Sequence, residues 1–188
     1  MKSPWTPACI LLLLGACAST TPDHFYVLSA LPQDTRDARP PPTVQATLKV
    51  TLPASADRTE IVLNASGGRV VILEHERWAA PLADLATQTL ARDIERRLTD
   101  TLIFAHDLGR PKGADVRIAV DVVQMTLRQG GEARIEAQWQ ISDLRSSKVV
   151  VGGGNFSAPL ADGDYAAVAR SLSECLGLLA DRLAEEMR

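Results

Sequence analysis

The chain has only three histidines, and their spacing matches no metal motif. His75 and Glu76 begin like H-E-x-x-H, in which two histidines four residues apart on a helix bind one zinc ion. The position of the second histidine is occupied by Ala79. The sequence therefore predicts no metal site, and no motif in it points to any other cofactor.

Groups for nucleophilic catalysis are equally scarce. His106 and Asp107 could orient a base, but no G-x-S-x-G elbow is present, and no serine or cysteine nearby has a recognisable nucleophile context. We interpret this pair as a solvated loop. His24 falls in a polar N-terminal stretch. The sequence predicts a protein that is not an enzyme.

A glycine triplet and a late cysteine have structural interpretations. Gly152, Gly153 and Gly154 lack the following Lys-Ser/Thr that a phosphate-binding loop needs. They predict an interruption of a strand by a bulge or kink, or a place where another backbone comes close. Cys175 lies on the apolar stripe of a predicted helix and is expected to be a small buried hydrophobe.

One thiol does have a reactive context. Leu14-Gly15-Ala16-Cys17 matches all four positions of the lipobox, the signature of bacterial lipoproteins. Lys2 and a short apolar run precede it, as in an export signal, and the run is too short to span a membrane. We predict a signal peptide over residues 1–16 and lipid attachment at Cys17, whose thiol receives diacylglycerol. In proteobacterial lipoproteins an Asp after the cysteine favours inner-membrane retention. Ala18 stands there, which favours an outer-membrane anchor facing the periplasm.

Charge and cysteine content narrow the classes further. Loss of residues 1–16 leaves 19 basic and 23 acidic side chains, a net charge of −4, which offers no footprint for nucleic acid. Cys9 leaves with the signal and Cys17 is acylated, so Cys175 has no intramolecular partner and no disulfide framework is expected. Length favours one domain, residues 25–188, after a lipidated tether over residues 17–24.

Hydrophobic periodicity predicts the secondary structure. Alternation or β-branched content predicts strands over residues 25–28, 44–52, 59–63, 69–73, 116–127 and 133–141 and from 149 onward. Pro81 fits the first turn of a helix whose apolar stripe includes Leu82, Leu90 and Ile94. The charged residues of that helix are placed elsewhere on the wheel, namely Arg92, Asp93, Glu95, Arg96 and Arg97. A second helix follows Asp162 or Asp164 as cap, with a stripe from Tyr165 to Leu183.

Hairpin corners join most of these strands, as at Gln129-Gly130-Gly131. We therefore predict an α+β fold in which two amphipathic helices pack on one face of a mainly antiparallel sheet. Beside the first helix, the indole of Trp78 is expected to make a core or cap contact. The pair Arg77-Trp78 could instead be an exposed anchor for a partner, and the glycine triplet is the other candidate contact surface.

The order of these features resembles the ABC-type transport auxiliary lipoproteins. The matching features are the lipobox, Phe25-Tyr26-Val27-Leu28 shortly after it, and the hairpin leading into Arg77-Trp78-Ala79-Ala80-Pro81-Leu82. The three-strand run and the amphipathic C-terminal helix complete the pattern. The resemblance implies a non-enzymatic subunit that works with an MCE-type tunnel protein and an inner-membrane transport component to move lipids or related hydrophobic molecules, and that forms a homo-oligomeric ring.

A second class of function stays open at the level of sequence. A stand-alone lipid-binding or regulatory lipoprotein would need an apolar cavity, and aromatic residues make up only 4% of the chain. An envelope hydrolase is disfavoured by the missing nucleophile–base grouping. Neighbouring genes for a tunnel protein and a permease would favour the transport subunit, whereas an isolated gene would favour the binding module.

Overall fold

The computed structural model describes residues 21–31, 41–105 and 114–188. Its elements, in chain order, are β1 (His24–Tyr26), β2 (Val44–Thr51), β3 (Glu60–Asn64), β4 (Val70–Trp78), α1 (Leu82–Arg97), β5 (Thr101–Ala105), β6 (Val116–Leu127), β7 (Gly131–Asp143), β8 (Val149–Leu160) and α2 (Tyr165–Glu186). The α+β class is confirmed.

Two sheets share one apolar core. The larger has the strand order β5-β2-β6-β7-β8, and the smaller has the order β1-β4-β3. The long ladders β6/β7 and β7/β8 are antiparallel, as is the β3/β4 hairpin. Most paired residues therefore lie in antiparallel ladders, which confirms the prediction of a mainly antiparallel sheet. Three shorter pairings, β1/β4, β2/β5 and β2/β6, are parallel, because longer connections separate those strands along the chain.

Both helices lie on the same face of the larger sheet, as predicted. Helix α1 packs on β2 and β5, α2 packs on β7 and β8, and the helices contact each other. Burial follows the predicted stripes, with Leu90 and Ile94 on α1 and Leu176 and Leu179 on α2 at 1% exposure or less. Asp164 is the cap of α2, since its Oδ1 accepts from the N–H of Ala166 at 2.9 Å.

Three strand predictions need correction. β5 was not predicted; it is short and pairs in parallel with β2, a strand about fifty residues earlier. β1 covers His24–Tyr26 instead of residues 25–28, so it begins at the last residue of the predicted tether and ends two residues early. β8 runs through the glycine triplet without a register shift, so neither a bulge nor an interruption is present. A bulge that the sequence analysis did not predict lies in β6, between Val122 and Gln124.

Candidate functional site

The predicted lipidation site lies outside the described residues, and so does His106. What the structure describes is the chain that follows the lipid site. Asp23 and β1 attach to the edge of β4, and residues 27–31, which we call the N-terminal strap, then cross to the helices. The features described below are candidates because they connect the predicted membrane anchor to the body of the protein.

Side-chain pairs hold β1 on β4. His24 Nδ1 lies 3.0 Å from Glu76 Oε1, and the Tyr26 hydroxyl donates to Glu76 Oε2 at 2.5 Å. Burial of Glu76 would raise the pKa of its carboxyl, but the hydrogen bonds from Tyr26 and His24 outweigh it, so this pKa is lowered. Burial, followed by the hydrogen bond to Glu76, raises the pKa of Tyr26 to about 12. The contacts that hold β1 on β4 therefore favour the ionised form of Glu76.

A second set of side-chain pairs between the N-terminal segment and β4 involves Asp23, the residue before β1. His75 Nδ1 lies 2.9 Å from Asp23 Oδ1, and Arg77 Nη1 lies 3.6 Å from Asp23 Oδ2. The hydrogen bond from His75 is the main cause that lowers the pKa of Asp23. Arg77 also reaches Glu60 on β3 at 3.4 Å. Two of the three histidines are thus partners of carboxylates, and Arg77 links both edges of β4.

The N-terminal strap is bound across both helices. The N–H of Ser29 donates to Ser173 Oγ at 3.1 Å, and the N–H of Leu31 donates to Asp93 Oδ1 at 3.0 Å. The guanidinium of Arg96 donates to the carbonyl of Leu31. A Cβ on Gly177, in the middle of α2, would lie 2.2 Å from Leu31 Cδ1. The glycine is therefore a notch that accepts the leucine side chain.

The predicted placement of Asp93 away from the buried stripe of α1 needs correction. Its side chain is fully buried, and burial raises the pKa of its carboxyl even though the Leu31 N–H and Arg97 oppose that shift. Oδ1 lies 3.7 Å from Arg97 Nη1. Asp93 and Gly177 are the strap contacts that the sequence prediction missed. The available signal was an isolated glycine in a helical pattern, which usually has a packing reason.

Trp78 lies in the core with 3% of its surface exposed. The first interpretation, a core contact, is confirmed, and the indole is not an exposed anchor. The N–H of Trp78 donates to Thr59 O at 2.7 Å, which ties the end of β4 to the start of the hairpin. Arg77 is a third exposed and remains the only member of that pair on the surface.

The glycine triplet fits a different indole. Gly152 pairs with Trp139 on β7, and a Cβ on Gly152 would lie 2.5 Å from the ring. A Cβ on Gly154 would lie 3.1 Å from the Phe156 ring. The Trp139 ring reaches the end of α2, where Nε1 donates to Glu186 Oε2 at 2.6 Å. The close approach predicted from the triplet is real, but a side chain rather than a backbone makes it.

β8 is also an edge strand of the larger sheet, and backbone N–H and C=O groups point outward from its free side. The N–H of Asp143 donates to Lys148 O, so residues 143 and 148 form a hydrogen-bonded pair. Because such pairs alternate along an antiparallel ladder, the N–H and C=O of Gly153 point away from β7, whereas those of Gly152 and Gly154 point toward it. No strand of the described chain covers that outer side.

A groove separates β1 and the strap from the first half of α2. Its apolar walls are formed by Phe25, Val27, Leu31, Ala166 and Ala169, and its volume is about 530 Å³. We call it the strap groove. Phe25 and Val27 are 63% and 55% exposed, although both side chains are apolar.

Several other functions receive no support from the described residues. Burial raises the pKa of the Cys175 thiol to about 12, and Sγ donates to Ala133 O, so this thiol is not an activated nucleophile. Residues 21–31, 41–105 and 114–188 contain no group of three potential metal ligands. None of the helices in those ranges is long and apolar enough to cross a bilayer.

Comparison with known proteins places this fold. The family model described as "ABC-type transport auxiliary lipoprotein component" matches residues 26–184. No curated protein matches the sequence. A crystal structure of an uncharacterized protein superposes with a TM-score of 0.72 at 17% identity, covering 89% of this chain and 100% of the other.

A crystal structure of a DUF330 protein from Xanthomonas campestris superposes with a TM-score of 0.65 at 18% identity, covering 87% of this chain and 94% of the other. At these identities the structures show a shared fold and no more. The family model starts at the last residue of β1 and ends two residues before the end of α2, so it covers the strap, β8 and all of the groove lining except Phe25. The chain belongs to the ABC-type transport auxiliary lipoprotein family.

Proposed function

We propose that this protein is an outer-membrane lipoprotein that faces the periplasm and serves as a non-catalytic docking subunit of an MCE/ABC-type transport system. Its cargo would be lipids or related hydrophobic molecules. The family match over residues 26–184 carries this proposal. The lipobox supplies the anchor, since Leu14-Gly15-Ala16-Cys17 matches the lipoprotein signature at every position.

The contacts of the N-terminal segment support a mechanical role for the anchor. Only six residues separate Cys17 from the start of β1. Beyond β1, the strap is hydrogen-bonded to Asp93 on α1 and to Ser173 on α2. A load on the lipid would therefore reach both helices rather than one loop, as a docking subunit requires.

The free side of β8 supports a role in assembly. Twelve residues form this strand, none of them charged, and Val151 is 73% exposed. Native proteins usually protect an open edge with charges, bulges or covering elements. We propose that β8 pairs with a second copy of this chain, and that the resulting homo-oligomer docks at the end of the tunnel protein.

Exchange of single cysteines tests the anchor. In Cys17→Ser a hydroxyl replaces the nucleophilic thiol, so the protein should accumulate as uncleaved precursor without lipid. Cys175→Ser is the matched control, because that thiol is buried in the core and should leave lipidation unchanged. Intact-mass analysis of membrane extracts measures both. Mature-sized, membrane-extracted Cys17→Ser protein would overturn the anchor.

Co-purification tests the partner. The lipidated protein, solubilised from native membranes, should carry an MCE-domain protein with it, and Cys17→Ser should not. If the wild-type protein repeatedly purifies without any MCE-domain protein, the docking role is wrong. The apolar walls of the strap groove favour one alternative, a stand-alone lipoprotein that binds the alkyl chain of a free lipid. That protein would extract a free fatty acid or neutral lipid from vesicles and would have no transport partner.

A further inference from the structure

The strap groove has a formed apolar wall with no occupant among the described residues. Phe25 and Val27 lie on one side, and Ala166 and Ala169 of α2 form the other. The side chains of these two alanines are short, so the groove stays open where longer side chains would fill it. A volume of about 530 Å³ lies within the usual range for small-molecule pockets.

The wall on the strap side is held in place by specific contacts. Ser29 is hydrogen-bonded to Ser173, and Leu31 is bonded through its N–H to buried Asp93 and seated in the Gly177 notch. In these hydrogen bonds the N–H groups of Ser29 and Leu31 are paired with side chains of the two helices. What the strap presents to the groove is its apolar side chains, so the groove is a preformed surface.

The rim of the groove gives no support for recognition of a phosphate head group. Arg170, its one cation, is 2.5 Å from Asp164 Oδ2. The Ser173 hydroxyl donates to Ala169 O at 2.7 Å. Glu174 adds a negative charge at the same rim. A ligand with its own anionic head would meet a paired cation and a free acid, whereas an alkyl chain whose polar end is held elsewhere would meet only apolar walls.

Such a chain is attached to the protein itself if the lipidation proposed above is correct. The seven Cα–Cα steps from Cys17 to His24 span at most about 25 Å when fully extended. A link of this length keeps the attached lipid at an effective concentration in the millimolar range near the groove. We propose that the strap groove binds one acyl chain of the lipid on Cys17.

Binding of one chain in the groove would fix the distance between the domain and the membrane. The remaining acyl chains would stay in the bilayer while the bound chain covers Phe25 and Val27. Because groove and bilayer are both apolar, the chain would exchange between them. A change at the strap, such as a partner displacing it, would then alter how closely the domain sits on the membrane.

Photochemical cross-linking within the lipidated full-length protein tests this inference. Cells are grown with a fatty acid that carries a diazirine, the protein is kept in native membranes, and after irradiation the cross-linked peptides are mapped by mass spectrometry. We expect intramolecular cross-links to residues 25–31 and 166–174. Ala169→Phe, which fills the groove, should abolish them. Leu178→Phe, which adds the same ring at an exposed position outside the groove lining, should leave them unchanged.

The outcomes separate the inference from the proposed function. If intact mass shows no lipid on Cys17, both fail together. If the lipid is present but cross-links reach only bilayer lipids or other proteins, or persist in Ala169→Phe, the groove is not the binding site and the anchor proposal survives. Should Ala169→Phe fail to fold, Phe25→Ser removes an exposed wall residue without touching the core, and loss of the cross-links is expected there too.

Discussion

The larger sheet has two outer strands, β5 and β8, and their free sides differ. β5 has five residues, and the N–H of Ile103 donates to Glu95 Oε1 of α1 at 2.7 Å. β8 has twelve residues without a charge, and its outward N–H groups alternate with inward ones. Helix α1 therefore covers the middle of β5, whereas no strand of the described chain covers the free side of β8, which leaves that side available for pairing. The difference indicates on which side the sheet can grow.

Gly152 of β8 also makes room for the Trp139 ring, so the effect of this packing on stability is separated first from any effect on strand pairing. Gly152→Val would place carbon atoms inside the Trp139 ring, which lies 2.5 Å from the Cβ position. We expect a loss of about 2–3 kcal/mol in the free energy of unfolding, the cost typical of overpacking a core. Chemical denaturation of the domain lacking residues 1–17 measures this.

Gly153→Ala is the matched control. Its Cβ would contact Ala137 O at 3.4 Å and Gln138 at 3.7 Å, which leaves it far less crowded. A change smaller than about 1 kcal/mol is expected, since the substitution also reduces the entropy of the unfolded chain. Equal losses in both variants would mean that the triplet is needed for backbone conformation and not for the indole.

The closed side of the sheet can be opened by one substitution. Glu95→Ala removes the acceptor of the Ile103 N–H and should cost about 1–2 kcal/mol, the penalty of an unsatisfied buried donor. Glu95→Gln retains an acceptor oxygen and should lose less. Denaturation midpoints of the two variants give the comparison. If both variants are as stable as the wild type, the helix does not protect β5, and the contrast with β8 fails.

Local periodicity predicted the layers of this fold but not the contacts that join distant segments. The stripes of α1 and α2 and the alternation of β6 and β7 follow from spacing within each element, and so they were found. β5 was missed because five residues carry little periodic signal and their ladder partner lies far away in sequence. Asp93 was misplaced for a related reason, because its hydrogen-bond partner, Leu31, lies sixty-two residues earlier.

The small sheet has an outer strand of a third kind, since carboxylates hold β1 in place. The pKa values of Asp23 and Glu76 are lowered in the folded protein, so protonation favours the detached strand. This contribution is complete above the ordinary values, 3.8 and 4.5, and is lost as the pH falls through the lowered values. We expect the protection factors of the amides of residues 24–26, which correct for the intrinsic slowing of exchange at low pH, to fall on acidification.

Glu76→Gln tests the cause of that pH dependence. The amide keeps an acceptor for the Tyr26 hydroxyl at 2.5 Å but does not titrate. Protection of β1 in this variant should change less between pH 6 and pH 3 than in the wild type, by an amount set by the remaining Asp23. An unchanged acid response would show that the carboxylate pairs do not hold the strand.

The smallest expected effect on monomer stability comes from Gly153→Pro, and it tests the open edge directly. The N–H of Gly153 points outward, so proline there removes no bond of the β7/β8 ladder, and Pro159 already occupies an outward position of the same strand. The variant should stay folded, with a change below about 1 kcal/mol, because no internal donor is lost. Its capacity to pair with a second copy should be lost, because proline removes a donor at the centre of the free edge.

Gly154→Pro is the matched control: its N–H faces β7, so it should destabilise the monomer itself. Light scattering after size exclusion, over a concentration series of the domain lacking residues 1–17, measures assembly, and thermal unfolding measures the monomer. A wild-type domain that stays monomeric at every concentration, with and without the proposed tunnel protein, would show that β8 is an unused edge. So would a Gly153→Pro variant that assembles as the wild type does.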